Sequence, residues 1–292
     1  MDRASVAGGI TGVLHQGRTV MVVVRHVSVE TDQIEEALAK EVPSHVPAIE
    51  AMIYDPSRET PNNAKRIVLC GVDPCQRLSG ISLKLLAYER FLAEYPRWRG
   101  RVALVQYCLL DGTRVQDEAR TLDEIKALGQ RLNAQNPGSV VLIERPSGRL
   151  GMAERLALFQ RSDVLVGTAI REGHTLYPSE YALARALGKR GPGVILASEF
   201  SATSTLMSGA VNVNPFDVPS VAAALDTALS MDAVEKRDRL DRDLPYVKSR
   251  PSGRWTQEIL EDMETVHRQV AVDEDASLAI AQRLEIGRLA DA

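Results

Sequence analysis

The chain has 292 residues, 45% of them hydrophobic and 25% charged, which is the composition of an ordinary folded protein able to build its own core. A net charge of -4 with no basic stripe gives nucleic-acid binding no electrostatic support. The longest early apolar run, Val20–Val24, is too short for a signal-peptide core or a membrane span, so no membrane partner is expected.

Taken in order, residues 1–18 are weakly patterned. Arg18–Glu30 reads as a strand passing into an extended segment, and Thr31–Lys40 as a short amphipathic helix. Pro43, Pro47, Pro56 and Pro61 then mark a stretch that reads as linker. From Lys65 the pattern turns regular. Strand-like runs occur at Arg66–Asp73, Arg101–Leu110, Ser139–Glu144, Asp163–Ala169, Gly193–Phe200 and Ala210–Asn214. Helical patterns fill the intervals at Ile81–Tyr95, Val115–Asn133, Met152–Arg161, Pro178–Leu187 and Val218–Met231. Strands alternating with helices at this spacing predict an α/β protein with a doubly wound, mostly parallel sheet. Ligands of such sheets sit beyond the C-terminal strand ends, which places the loops Asp73–Gly80, Asp111–Arg114, Ile170–Thr175 and Ser198–Thr205 on one functional edge. Charged helices follow at Asp232–Leu244 and Arg254–Val270, and the tail Asp273–Ala292 carries enough apolar residues for one more helix.

Within that edge, Asp163–Glu180 runs from a buried-type strand through a polar turn into a helix with Pro178 and Glu180 in its first turn. Unpaired helix N–H groups and the positive dipole end suit an anion such as a diphosphate. A carboxylate one turn in suits ribose hydroxyls; it also suits a plain helix start, where first-turn acids are common. The five histidines lack ligand spacing, so no metal site is expected. Cys70, Cys75 and Cys108 are odd in number and without metal spacing, pointing to a reduced, cytoplasmic setting. Cys70 and Cys108 fall in apolar runs, whereas Cys75 falls in a loop and reads as exposed.

Several strings, in order, resemble one family: GRTV (Gly17–Val20), GVD (Gly71–Asp73), GISLKLLAYERFL (Gly80–Leu92), WRGRVALVQ (Trp98–Gln106), REGHTLYPSEY (Arg171–Tyr181), SEF (Ser198–Phe200), SGAVNVNPFD (Ser208–Asp217) and RWTQEILEDM (Arg254–Met263). They look like the C-terminal half of trehalose-6-phosphate synthase, a retaining GT-B glycosyltransferase. GISLKLLA and LYPSEY are similar to the plant and algal branch, whose members often carry a fused phosphatase-like domain. The resemblance implies glucosyl transfer from UDP-glucose to glucose 6-phosphate, with UDP-glucose as substrate and no cofactor. It implies Glu180 as ribose ligand, Glu172 facing the donor glucose in the catalytic position, and Gly173, His174, Thr175 and Leu176 meeting phosphate and sugar through the backbone.

The departures lie elsewhere. Two cations of the family's first loop fall on Pro74 and Ser79, with Arg77 either a displaced substitute or a solvated loop residue. Gly112 stands where an arginine for the acceptor phosphate is usual, with Arg114 displaced. Residues 1–64 are expected to be a remnant of the acceptor domain and linker, 65–270 the nucleotide-sugar-binding Rossmann-like domain, and 271–292 a helical tail. Two readings stand open: the donor half of a synthase-like enzyme, weak or inactive alone, and a non-catalytic regulatory or interaction module of trehalose metabolism. Expected partners are a UDP-sugar, with glucose 6-phosphate or a full-length synthase subunit as further candidates.

Overall fold

In the computed structural model the described residues are 3–5, 11–15, 18–53, 66–146, 148–188, 190–249 and 251–268. Six parallel strands form the central sheet: β4 (Ile67–Pro74), β5 (Val102–Leu109), β6 (Val140–Arg145), β7 (Val164–Val166), β8 (Val194–Ser198) and β9 (Val211–Val213). Their spatial order, β6-β5-β4-β7-β8-β9, is that of a Rossmann sheet, with the reversal between β4 and β7. β5 is buried along all eight residues, as a strand covered on both faces must be.

The period of two along β4 and β5 sorts their side chains onto two faces. Val68, Cys70 and Val72, with Ala103, Val105 and Tyr107, join one apolar cluster; Leu69, with Val102, Leu104 and Cys108, joins the other. The first cluster is completed by α1 (Thr31–Lys40), α2 (Val42–Ile53), α5 (Met152–Arg161), α6 (Tyr177–Leu187) and α9 (Ala233–Ser249). The second is completed by α3 (Ile81–Glu94), α4 (Val115–Gln135) and α8 (Val218–Ser230), while the short α7 (Thr203–Leu206) follows β8. The α/β doubly wound class expected from the pattern is the one found, with all six predicted strands in place.

The proline stretch is a correction. Val42–Ile53 is helical, with Pro43 in its first turn, where no intrahelical donor is lost, and Pro47 inside. An interior proline costs about 3 kcal/mol, which burial of Val42, Ile49 and Ile53 against α5 offsets at roughly 1.5–3 kcal/mol per side chain. Pro56 and Pro61 lie outside the described residues.

The compact unit holding this sheet runs from Ser28 to Ser249, so α1 and α2 belong to it and residue 65 does not open it. Residues 1–27 and 250–292 form a second unit. Its described parts are the antiparallel strands β1 (Arg3–Ser5), β2 (Thr11–His15) and β3 (Arg18–Val22), and helix α10 at 252–268. Within it Arg25 makes a two-pronged bond to Asp262, at 2.8 and 2.7 Å. The predicted helix in Asp273–Ala292 lies outside the described residues. No helix among the described residues is long and apolar enough to cross a membrane.

Candidate functional site

The reversal of strand order opens a crevice beyond the C-terminal ends of β4 and β7. Its lining comes from Val72 and Asp73 of β4, from β7 and the following loop (167–176), and from β8 and the turn after it, while residues 75–80 after β4 pack against the β7 loop. The loops after β4 and β7 are joined by one backbone and one side-chain bond: Ile170 N–H donates to Leu78 O at 2.8 Å, and Thr168 Oγ1 donates to Gly80 O at 3.0 Å. Gly80 is required there. Its φ is +66°, and a Cβ would lie 1.9 Å from Thr168 O.

The loop after β7 is held by the turn that follows β8: Glu172 N–H donates to Phe200 O at 3.1 Å and Ala202 N–H to Gly173 O at 3.0 Å. This turns the Glu172 side chain into the crevice, beside Asp73 and Thr175. Burial pushes the Glu172 carboxyl up to about 7, with Asp73 adding to the rise and the Lys84 charge opposing it. Gly173 is exposed, and His174 and Leu176 are half-buried. α6 then starts without a side-chain cap on its N-terminus.

Glu180, in the first turn of α6, is buried, and it is not alone. Arg155 of α5 donates Nε to Glu180 Oε2 at 2.5 Å and Nη2 to Oε1 at 2.7 Å, while its Nη1 reaches Leu150 O at 2.7 Å. The guanidinium also lies 5.2 Å from the Tyr177 ring centre. Both carboxylate oxygens are thus fixed in direction, and each keeps lone pairs for a further donor.

Of the predicted site residues, Glu172 and Thr175 line the crevice, and Gly173, His174, Leu176 and Glu180 lie on the same loop-to-helix turn. Arg77 is elsewhere: it is exposed, outside the crevice lining, with its N–H turned to Asp117 at 3.3 Å. Pro74 is exposed and Ser79 buried. In the loop after β5, Asp111, Gly112, Thr113 and Arg114 are all exposed. Cys75, expected to be exposed, is buried, its thiol 3.8 Å from Glu118 O and pushed up to about 11 by burial. It is a core residue, because the chain turns inward after Pro74.

Sequence reasoning missed Arg155 and the Asp73–Lys84 pair. Lys84 had a signal: it shares the apolar stripe of α3 with Ile81, Leu85 and Tyr88, and a cation on a core-facing stripe requires a partner. Arg155 had none, since partners 25 residues apart on different helices leave no local pattern. Among the described residues no cluster of three or more His, Cys, Asp or Glu is placed to hold a metal ion.

Comparison with known proteins follows the same outline. The model of glycosyltransferase family 20 matches residues 3–265. The chain is similar to alpha,alpha-trehalose-phosphate synthase [UDP-forming] 6 of Arabidopsis thaliana, 30% identical over 273 residues, covering 88% of this chain and 31% of the relative. The corresponding synthase 5 of the same plant is 31% identical, covering 88% and 30%. Among solved structures, alpha,alpha-trehalose 6-phosphate synthase from Burkholderia multivorans superposes with a TM-score of 0.78 at 25% identity, over 93% of this chain and 55% of that one. The E. coli protein bound with UDP-2-fluoro glucose shares the fold, with a TM-score of 0.77 at 21% identity over 89% and 55%. So does a Burkholderia xenovorans synthase in complex with glucose-6-phosphate, at 0.79 and 22% over 90% and 56%. The chain spans about a third of the curated relatives it matches and just over half of these solved chains.

Proposed function

The chain belongs to glycosyltransferase family 20, and from that premise we propose that its crevice is the donor-binding half of a trehalose-6-phosphate synthase-like site, taking UDP-glucose. One observation carries the reading: the loop after β7 sets Glu172 in the crevice and leads into a helix whose first turn holds the clamped Glu180. In this assignment Glu180 accepts the ribose hydroxyls and Glu172 faces the donor sugar. The backbone of Gly173, His174, Thr175 and Leu176 meets the phosphates near a helix N-terminus. UDP-glucose is substrate here, not cofactor, and no resident metal enters the scheme. Glucose 6-phosphate is the proposed acceptor of the family reaction, and a full-length synthase subunit a proposed partner.

The test is calorimetric titration with UDP and UDP-glucose, on this chain and on Glu180→Ala. Binding of both ligands that is lost in the variant is the expected result; absence of any nucleotide binding overturns the reading.

A second reading is favoured by a specific observation: the crevice lining contains no lysine, arginine or histidine among the described residues. Losing one charge partner of a developing phosphate oxyanion costs about 3 kcal/mol, so two losses slow transfer by roughly four powers of ten. A non-catalytic module of trehalose metabolism would keep the nucleotide and lose the turnover. Trehalose 6-phosphate formation by the purified chain at ordinary enzyme rates would exclude it.

A further inference from the structure

Asp73, the last residue but one of β4, lines the crevice. Its Oδ2 takes two hydrogen bonds, from Lys84 Nζ at 2.6 Å and from Gln106 Nε2 at 2.9 Å. Lys84 also donates to Gln106 Oε1 at 2.9 Å, and Gln106 Nε2 to Tyr107 O at 2.8 Å. The ring of bonds therefore closes on itself. Lys84 is only 1% exposed, and Gly71 makes room for the ring: a Cβ there would lie 2.2 Å from Gln106 Oε1 and 2.4 Å from Lys84 Nζ.

Packing alone does not call for this arrangement. A buried ion pair is often no more stabilising than apolar side chains of the same volume. What the ring does, and an apolar substitute does not, is fix the direction of one carboxylate. None of these bonds falls on Asp73 Oδ1. An ionised carboxylate is an acceptor only, so the group next to Oδ1 must donate. The other polar groups of the crevice lining include Glu172 and the hydroxyls of Thr175 and Thr203, with no cation among the described lining residues. Such a wall repels a phosphate and suits a neutral ring bearing several hydroxyls.

We propose that Asp73 accepts a hydrogen bond from a hydroxyl of the donor's sugar ring, with Lys84 and Gln106 as its positioning residues. The proposal rests on the donor-site reading above.

The test compares UDP-glucose with UDP on Asp73→Asn. The amide turns its carbonyl to Lys84 and so leaves an NH2 group where an acceptor stood. UDP-glucose binding is expected to weaken about tenfold while UDP stays within about twofold. Gln106→Met keeps the ion pair and loosens the ring, and a smaller loss with the same selectivity is expected. Lys84→Met, compared with Asp73→Asn and the double variant, is expected to be non-additive, since the two residues act through one bond. Equal weakening of UDP and UDP-glucose overturns the proposal, because it marks Asp73 as merely structural. Unchanged UDP-glucose binding in Asp73→Asn and in Gln106→Met also overturns it, yet leaves the donor-site reading intact if Glu180→Ala still abolishes nucleotide binding. No nucleotide binding by the unaltered chain overturns both.

Discussion

The loops that follow β4 and β7, joined at Leu78 and Ile170, differ in what they do with their polar groups. The loop after β4 spends them internally: Cys75 and Ser79 are buried, the Arg77 N–H meets Asp117, and exposed Pro74 presents no charge. The loop after β7 keeps its groups for the crevice, with Glu172 in the lining and Glu180 fixed one turn into α6 by Arg155. The two carboxylates of the second loop and its helix are thus held without any side chain of the first loop, and one arrangement can persist without the other. This is why nucleotide binding is expected here more firmly than turnover.

The contrast breaks most severely if the clamp on the second loop is removed. Arg155→Leu leaves Glu180 buried without its partner, and uncompensated buried charges of this kind cost about 3–5 kcal/mol. Urea unfolding should register that loss. A loss below about 1 kcal/mol would mean the pair behaves as an exposed one. The joint between the loops is next. Gly80→Ala forces a side chain into φ +66° and onto Thr168 O, so a loss of about 2–3 kcal/mol is expected in the same assay.

A third change sharpens the contrast by reversing it. Pro74 is exposed at the end of β4, where the first loop begins, so Pro74→Arg adds a guanidinium on the cation-poor side without disturbing packing. UDP binding should tighten about tenfold at low salt, and the gain should shrink as salt rises. Ser79→Lys is a poor alternative, because Ser79 is buried and a lysine there needs a partner it lacks.

The fold was legible because period and spacing carry it: apolar runs of four to eight residues alternating with 3.6-residue stripes leave few arrangements besides a doubly wound sheet. The second loop was legible for the same reason, since strand, turn and first-turn carboxylate are contiguous. What was not legible depends on contacts distant in sequence. Val42–Ile53 looked like linker because propensity weighs two prolines heavily, whereas packing on α5 decides the outcome. Cys75 looked exposed because loops usually are. The Arg155–Glu180 and Lys84–Asp73 pairs join separate elements, and a linear reading assigns such residues to solvent.

The smallest effect concerns protonation of Glu172, and its sign follows from the direction of the shift. Burial moves this carboxyl from the ordinary 4.5 to about 7, Asp73 pushing the same way and Lys84 opposing. Between those values the folded chain holds a proton that the unfolded chain has released, so the stability tied to this group is greatest below 4.5 and is lost as pH rises through 7. The crevice is then one negative charge poorer on the acid side of 7, and a diphosphate meets less repulsion there. UDP affinity should fall about threefold more between about pH 6 and pH 8 in the unaltered chain than in Glu172→Gln. The nucleotide's own titration is common to both proteins and cancels in the comparison. Equal slopes would place the UDP phosphates out of reach of Glu172. The anionic wall around Asp73 would then be a feature of the sugar end alone, which draws the line between the two loops more sharply still.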